Sequence, residues 1–185
     1  MNNLGINKKV LLFSFSLNPN SRSYLLLKSA DDYLSSLNVN TELIDMRKYQ
    51  LPFCDGTKNM LTHPTVRKLL DHFYTAQKII IASPIYNYDI NASFKNFIDL
   101  LSIEHQNNSD TNNTRVLAFM GAMGSSKSYL SGLSSLNYLH LVLGYYLLPS
   151  FVMCSPKDFS ITGELNTNLK NKIKILCNNL IEQKI

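Results

Sequence analysis

The sequence contains no apolar run of about 18 residues, the length that a membrane-spanning helix requires. Its first residues, MNNLGINKKV, lack the apolar stretch and the small-residue cleavage site of a signal peptide. The three cysteines, Cys54, Cys154 and Cys177, lie far apart and form no C-x-x-C pair, which argues against a disulfide framework and a zinc site. These absences predict a soluble, cytoplasmic protein with no membrane partner and no bound metal.

Two nucleotide-binding motifs are also missing. Neither G-x-x-x-x-G-K-[ST] nor G-x-G-x-x-G occurs, which disfavours nucleoside triphosphates and an NAD-type dinucleotide fold. The net charge is +5, but lysine and arginine are scattered singly, so we do not expect nucleic acid as a partner. A basic surface instead suits the attraction of anionic small molecules.

Strand-like and helix-like segments alternate along the chain. Strands are predicted over 8–16, 40–46, 78–84, 115–121 and 145–153, and helices over 21–37, 63–76, 91–102 and 163–185, with one more helix before the fifth strand. This order predicts an α/β three-layer sandwich, in which a five-stranded parallel sheet carries helices on both faces. The length of 185 residues and the hydrophobic content of 45% favour a single domain over residues 1–185.

The third strand gives the clearest signal. Its sequence, KIIIASP, is apolar at every position from Ile79 to Ala82, as expected for a strand covered on both faces, and Pro84 is expected to end it. A doubly wound sheet binds its ligand outside the carboxyl ends of its strands. The loops that follow strands are therefore the candidate ligand-binding segments.

The loop over 15–23 joins the first strand to the first helix. Ser21 is a candidate N-cap, and the unpaired N–H groups of a helix N-terminus, together with serine hydroxyls, stabilise a phosphate. Arg22 adds a positive charge. A monophosphate suits this loop, although its Ser, Asn and Pro residues are equally typical of a simple turn and cap.

Two further loops follow the third and fourth strands. The segment over 83–91 offers Tyr86 or Tyr88 as an aromatic wall for a flat heterocycle, or else forms a proline-initiated turn with surface tyrosines. The segment over 120–127 carries Gly121 and Gly124, which permit close approach of a ligand to the backbone but are also common in ordinary turns.

With these loops, the sequence resembles the NADPH-dependent FMN reductase family of flavodoxin-like proteins, roughly from Val10 to Phe151. The phosphate loop reads S-L-N-x-x-S-x-S from Ser16, where the family usually reads G-S-x-R-x-x-S-x-N. The sequence ELIDM at 42–46 leads to Leu51-Pro52. The most specific block is PIYN at 84–87 followed by FKNFID at 94–99, where the family reads P-E-Y-N and L-K-N-x-I-D.

The resemblance implies a flavodoxin-like fold, FMN and NAD(P)H as cofactors, a flavin, quinone, azo compound or similar small molecule as electron acceptor, and a homodimer or homotetramer. The residues that it implies for binding FMN are Ser16, Asn18, Ser21, Arg22, Ser23, Pro84, Ile85, Tyr86, Asn87, Gly121, Ala122, Met123, Gly124 and Ser125. Since the flavin carries the redox chemistry, no acid–base triad is expected. Lys127 is a candidate for stabilising the negative charge that develops on a reduced flavin.

Several positions depart from the family pattern. Phe15 stands where the family often has glycine, Asn18 where it has arginine, Ser23 where it has asparagine and Ile85 where it has glutamate. Loss of the arginine removes a charged phosphate contact. Two alternatives therefore accompany the reductase hypothesis: an electron-carrying FMN protein without turnover of its own, and a divergent family member that binds a protein partner or another nucleotide.

Overall fold

The computed structural model describes residues 9–107, 115–128 and 132–183. Strands and helices alternate along these residues, as the sequence predicts. In chain order they are β1 (Val10–Ser14), α1 (Arg22–Ser36), β2 (Thr41–Asp45), α2 (Pro64–Thr75), β3 (Lys78–Tyr86), β4 (Asp89–Ile90), α3 (Ala92–Asn107), β5 (Arg115–Met123), α4 (Leu133–Leu141), β6 (Tyr145–Leu147), β7 (Val152–Cys154) and α5 (Thr167–Glu182).

The sheet is parallel in the order β2-β1-β3-β5-β6, and the short β4 pairs antiparallel with the end of β3. Successive parts of β5 pair with β6 and then with β7, so these two short strands share the fifth position. This is the flavodoxin-like strand order, in which the chain changes direction across the sheet between β1 and β3. The predicted flavodoxin-like α/β fold is confirmed.

Helices cover both faces of the sheet. The side chains of α1 and α5 pack on one face, and those of α2, α3 and α4 pack on the other. Because β3 lies in the centre, every residue from Lys78 to Ile85 is buried. Stacked phenylalanines fix the end of β1: the Phe15 ring lies 4.5 Å from Phe13 and 4.4 Å from Phe94, measured between ring centroids.

Several predicted boundaries are wrong. Strand β3 does not end at Pro84 but continues to Tyr86. This is possible because β1 pairs with β3 only as far as Ala82, so Pro84 has a strand partner on one side alone. Strand β5 likewise extends two residues beyond Gly121, to Met123. The predicted fifth strand is interrupted over 148–151, which includes Pro149, and therefore forms β6 and β7.

The thiols of Cys154 and Cys177 are buried in the core, and burial raises the pKa of each to about 12. Both therefore remain protonated at neutral pH and pack as small apolar groups. Within residues 9–107, 115–128 and 132–183, every helix is too short or too polar to cross a bilayer.

Candidate functional site

A cleft of about 730 Å³ opens at the carboxyl edge of the sheet, where the chain changes direction between β1 and β3. Ligand pockets commonly measure about 300–1,000 Å³. The segments that follow β1, β3 and β5 form its walls. All the ligand residues predicted from sequence line it except Gly121, and Asn20, Tyr88 and Ser128 line it as well.

The N-terminus of α1 forms one end of the cleft. Ser21 caps the helix, because its Oγ accepts a hydrogen bond of 3.1 Å from the Tyr24 N–H. The same Oγ lies 2.9 Å from the Ser23 Oγ. This pair of hydroxyls carries two protons and uses one between them, so one proton remains for a ligand. The first-turn N–H groups, which have no acceptor inside the helix, add further donors.

Positive charge at this end comes from Arg22. Among the described residues that line the cleft, it is the one with a charged side chain. Its guanidinium carbon lies 5.8 Å from the centroid of the Phe159 ring, while the side chain stays exposed to solvent. The residue at the position of the family's arginine, Asn18, instead accepts a hydrogen bond of 2.8 Å from the Asn20 N–H and shapes the loop.

The side chains of Asn91, which directly precedes α3, and of Ser93 in its first turn hold the start of this loop. The amide of Asn91 is buried; its Nδ2 donates to the Phe15 carbonyl at 2.7 Å, and its Oδ1 accepts from the Ser83 hydroxyl at 3.0 Å. The Ser93 hydroxyl also donates to the Phe15 carbonyl, at 2.6 Å. These bonds connect the ends of β1, β3 and α3, so they fix two walls of the cleft relative to each other.

An ion pair from β2 holds the middle of the loop. The Nε and Nη2 groups of Arg47 donate hydrogen bonds to the carboxylate of Asp45, while its Nη1 donates to the Pro19 carbonyl at 3.0 Å. Its guanidinium also lies 4.2 Å from the centroid of the Tyr24 ring. Burial opposes ionisation of Asp45, but the Arg47 bonds outweigh it and keep the pKa of this carboxyl below its usual value.

The opposite wall of the cleft is apolar and aromatic. Ile85 and Met123 lie on paired strands and are 5% and 6% exposed, respectively. Beyond them, the β3–β4 hairpin carries Tyr86 and Tyr88, which are 54% and 65% exposed. A flat ring can contact the aliphatic side chains, while its polar edge meets the backbone of the surrounding segments.

The segment over 120–127 is expected to form a loop, but its first four residues belong to β5. Gly121 is buried within β5, and a Cβ there would approach the Met153 side chain to 2.6 Å, so the missing Cβ leaves room for that side chain. A Cβ on Gly124 would meet no protein atom within 4 Å, which leaves open space beside the cleft. Lys127 is exposed and is not among the residues that line the cleft.

A second cavity, of about 410 Å³, lies at the amino edge of the sheet. Lys9, Glu42, His72 and Arg115 contribute to its walls. The Glu42 carboxylate already pairs with Lys9 at 2.6 Å and with His72 at 3.1 Å, so much of the positive charge is neutralised within the protein. The carboxyl-edge cleft is therefore the stronger candidate for an anionic ligand.

Sequence reasoning missed the residues that position the site. The sequence places Asn91 at the start of the predicted helix over 91–102, but its side chain bonds to Phe15, 76 residues earlier in the chain. The bond from Arg47 to Pro19 likewise spans 28 residues. Local sequence patterns do not predict such hydrogen bonds, because the bonds form only when the strands become neighbours in the sheet.

The sequence profile of a family described as NADPH-dependent FMN reductase matches residues 8–158 of this chain. An NAD(P)H-dependent FAD/FMN reductase of Geobacillus thermodenitrificans is 24% identical over 127 residues, which cover 69% of this chain and 65% of the relative. An FMN-dependent NADH:quinone oxidoreductase of Mycoplasma genitalium is 28% identical over 133 residues, with 68% and 64% covered. The alignments thus span slightly less than two thirds of these curated relatives.

Solved structures share the fold. The apo crystal structure of an NADH:FMN oxidoreductase superposes with a TM-score of 0.71 at 18% sequence identity, covering 95% of this chain and 91% of the other. At this level of identity the likeness establishes the architecture alone.

Proposed function

Because the chain belongs to the NADPH-dependent FMN reductase family, we propose that it binds FMN in the carboxyl-edge cleft and catalyses the NAD(P)H-dependent reduction of a small electron acceptor. This proposal rests on one observation: the cleft has a polar, positively charged end and an apolar, aromatic end. A helix N-terminus with serine hydroxyls and Arg22 faces an apolar wall that ends in tyrosines. A phosphorylated, flat heterocycle requires both.

The phosphate of FMN fits the end formed by α1. The first-turn N–H groups and the remaining Ser21–Ser23 hydroxyl proton donate to phosphate oxygens, and Arg22 supplies the charge that Asn18 does not. Asn91 and Arg47 do not line the cleft. Their role is to hold the loop backbone at Phe15 and Pro19 in the geometry that these donors need.

The isoalloxazine ring fits the other end. Ile85 and Met123 supply a dry surface, Tyr86 borders the ring, and the open side of Gly124 leaves room for it. When bound, FMN supplies the centre that accepts hydride from a nicotinamide and passes electrons to the acceptor. The chain's own task is to bind and orient the partners and to exclude water from the buried wall.

The finer assignments are predictions of this proposal. The names of the curated relatives favour flavins and quinones as acceptors, and azo compounds remain within the same expectation. The assembly as a homodimer or homotetramer, the cytoplasmic location and the contribution of Lys127 to flavin reduction also stay predictions.

The test is spectroscopic. The purified chain is expected to be yellow, or to become yellow on addition of FMN, and to bleach when NADPH or NADH is added without oxygen. The matched variant is Gly124→Val: the protein offers room for the new side chain, which would occupy ligand space, so folding should persist while FMN binding is lost. Asn171→Val, which adds an exposed valine on α5 away from the cleft, should bind FMN normally.

Each outcome has a distinct meaning. A yellow protein that neither NADH nor NADPH bleaches would contradict the reductase and favour an electron carrier. A folded protein that takes up no FMN would contradict the cofactor itself. Equal FMN affinity of Gly124→Val and the parent chain would place the flavin elsewhere.

A further inference from the structure

The β3–β4 hairpin carries a strained residue at the mouth of the cleft. Tyr86 pairs with Asp89, and the two residues between them, Asn87 and Tyr88, have φ values of 50° and 65°. Both therefore occupy the left-handed region, as in the two-residue turns that usually recruit Asn-Gly. Asparagine tolerates this conformation, but a bulky residue such as tyrosine is a true outlier there.

Contacts of Asp89 and Ile90 hold the β4 side of this turn. The Asp89 carboxylate accepts hydrogen bonds from the Ile90 N–H at 2.7 Å and the Ser135 hydroxyl at 3.4 Å. Ile90 is buried against Gly132, where a Cβ would come within 2.9 Å of the Ile90 side chain. The β4 side of the hairpin is thus held in place, and the pairing of Tyr86 with Asp89 leaves two residues to close the turn. Strain that the surroundings maintain at a cleft is a signature of function.

The strained turn places an aromatic ring where a substrate would enter. Tyr88 is 65% exposed and lines the cleft beside Tyr86, which is 54% exposed. A glycine at position 88 would form the same turn without strain, and a polar residue would suit the exposed position better. Neither the fold nor solvation accounts for tyrosine here, whereas the stacking of another flat ring does.

We propose that Tyr88 determines the acceptor specificity of the site: its ring, held at the cleft mouth by the strained turn, stacks on flat aromatic electron acceptors of the quinone type. This inference rests on the proposed function, since the acceptor must approach a bound flavin. Tyr88 is a binding residue and takes no part in the electron transfer itself.

The experiment compares four variants of the FMN-loaded protein: Tyr88→Gly, Tyr88→Asn, Tyr88→Phe and Asn38→Gly. Asn38 is the matched backbone control, because it also has a positive φ of 58° but lies in the turn after α1, outside the cleft. The probe is the naphthoquinone menadione. Its dissociation constant is measured on the oxidised protein without NADPH, so the readout does not depend on turnover. Thermal unfolding is followed in parallel.

Removal of the ring should separate affinity from stability. In Tyr88→Gly the dissociation constant for menadione should rise about 3- to 10-fold, while Tm rises by about 2–4 °C because the strain is relieved. Tyr88→Asn should lose affinity similarly without requiring the left-handed conformation of a bulky residue. Tyr88→Phe should retain both values, and Asn38→Gly should leave menadione affinity unchanged.

Two results would overturn the inference. One is unchanged menadione affinity in both Tyr88→Gly and Tyr88→Asn. The other is a loss of Tm that accompanies the loss of affinity, since the tyrosine would then be structural. Failure of the proposed function is recognised separately, because the parent protein would take up no FMN or would not be bleached by NAD(P)H.

Discussion

Among the described residues that line the cleft, Arg22 alone supplies a side-chain charge to the proposed phosphate site. It begins α1, where the helix dipole already favours an anion. Its contact with Phe159 keeps the guanidinium near the cleft, and no carboxylate of the described residues forms an ion pair with it. An arginine that is not neutralised by a neighbouring acid can offer its full charge, and paired donors, to a phosphate.

Substitution of Arg22 by alanine should weaken FMN binding about 10-fold, at the lower end for a charged hydrogen bond because the side chain is exposed. Riboflavin, which lacks the phosphate, should bind Arg22→Ala and the parent chain equally. Fluorescence titration of both ligands checks this. Lys170→Ala removes the same charge from the exposed side of α5 and should leave both affinities unchanged. A parallel loss of riboflavin affinity would show that Arg22 supports the loop rather than the phosphate.

Single residues divide into those that sequence could identify and those that it could not. Ser21 was recognisable as a cap, and Arg22 as its charged neighbour, because both roles follow from position at a helix start. Gly121 was placed in a loop, although it lies in β5 beneath Met153. The strain at Tyr88 was not foreseen either, since a left-handed turn is usually announced by glycine. These failures arise where tertiary contacts override local preference.

At the scale of elements, the cleft depends on α3 as much as on α1. Asn91 lies between the hairpin and the first turn of α3, and its side chain reaches the ends of both β1 and β3. Without this amide, the Phe15 carbonyl would keep its hydrogen bond from the Ser93 hydroxyl. The Ser83 hydroxyl would keep its hydrogen bond to the Pro84 carbonyl. The walls of the cleft would then be joined by fewer bonds.

We expect Asn91→Ala to lower the free energy of unfolding by about 1–3 kcal/mol, as for buried polar groups that lose a partner, and to lower FMN affinity as well. The matched control is Asn96→Ala on the same helix. The Asn96 side chain also bridges backbone groups, but to Pro52 and Cys54, which do not line the cleft. Asn96→Ala should therefore lower the free energy of unfolding but leave FMN affinity unchanged. Chemical denaturation and FMN titration measure both effects, and equal affinity losses would mean that general loosening is responsible.

Element order was easier to predict than element ends. Alternating periodicity identified the helices and the parallel sheet, because burial on both faces imposes apolar runs. The hairpin was missed because Asn87-Tyr88 lacks the glycine that signals such a turn. Pro84 looked like a strand end, yet it is accommodated where β1 has already stopped. A proline's effect thus depends on which neighbours remain, which one sequence does not reveal.

For the molecule as a whole, the α/β architecture and family membership inferred from sequence are confirmed. The family's description names FMN and NADPH, in agreement with the predicted cofactors and oxidoreductase class, and the activity of this chain is the one proposed above. The single domain over 1–185 and the roles of individual site residues stay predictions. Fold and family depend on many positions, whereas a binding role depends on a few atoms, so single departures such as Asn18 matter more for the site.

Global stability should depend on pH through the Asp45–Arg47 pair. The Asp45 side chain is 6% exposed, and its pKa is lower in the folded chain than in the unfolded one. The unfolded chain therefore binds a proton first on acidification. The contribution of this group to stability is complete above about pH 4, the ordinary aspartate pKa, and is lost as the pH falls through the lower folded value.

Asp45→Asn should therefore destabilise the protein by about 1–3 kcal/mol at neutral pH, because an amide presents a donor to the Arg47 guanidinium in place of an acceptor. The gap between the two unfolding free energies should narrow steadily below about pH 4. Asp32→Asn, which removes an exposed carboxylate paired with Lys28, should change stability little at any pH. Denaturant unfolding from pH 7 downward provides the measurement. If the difference in unfolding free energy stays constant with pH, the cost of Asp45→Asn comes from packing. If the difference closes at low pH and FMN binding is weaker at neutral pH, the ion pair supports both the fold and the Pro19 segment of the cleft.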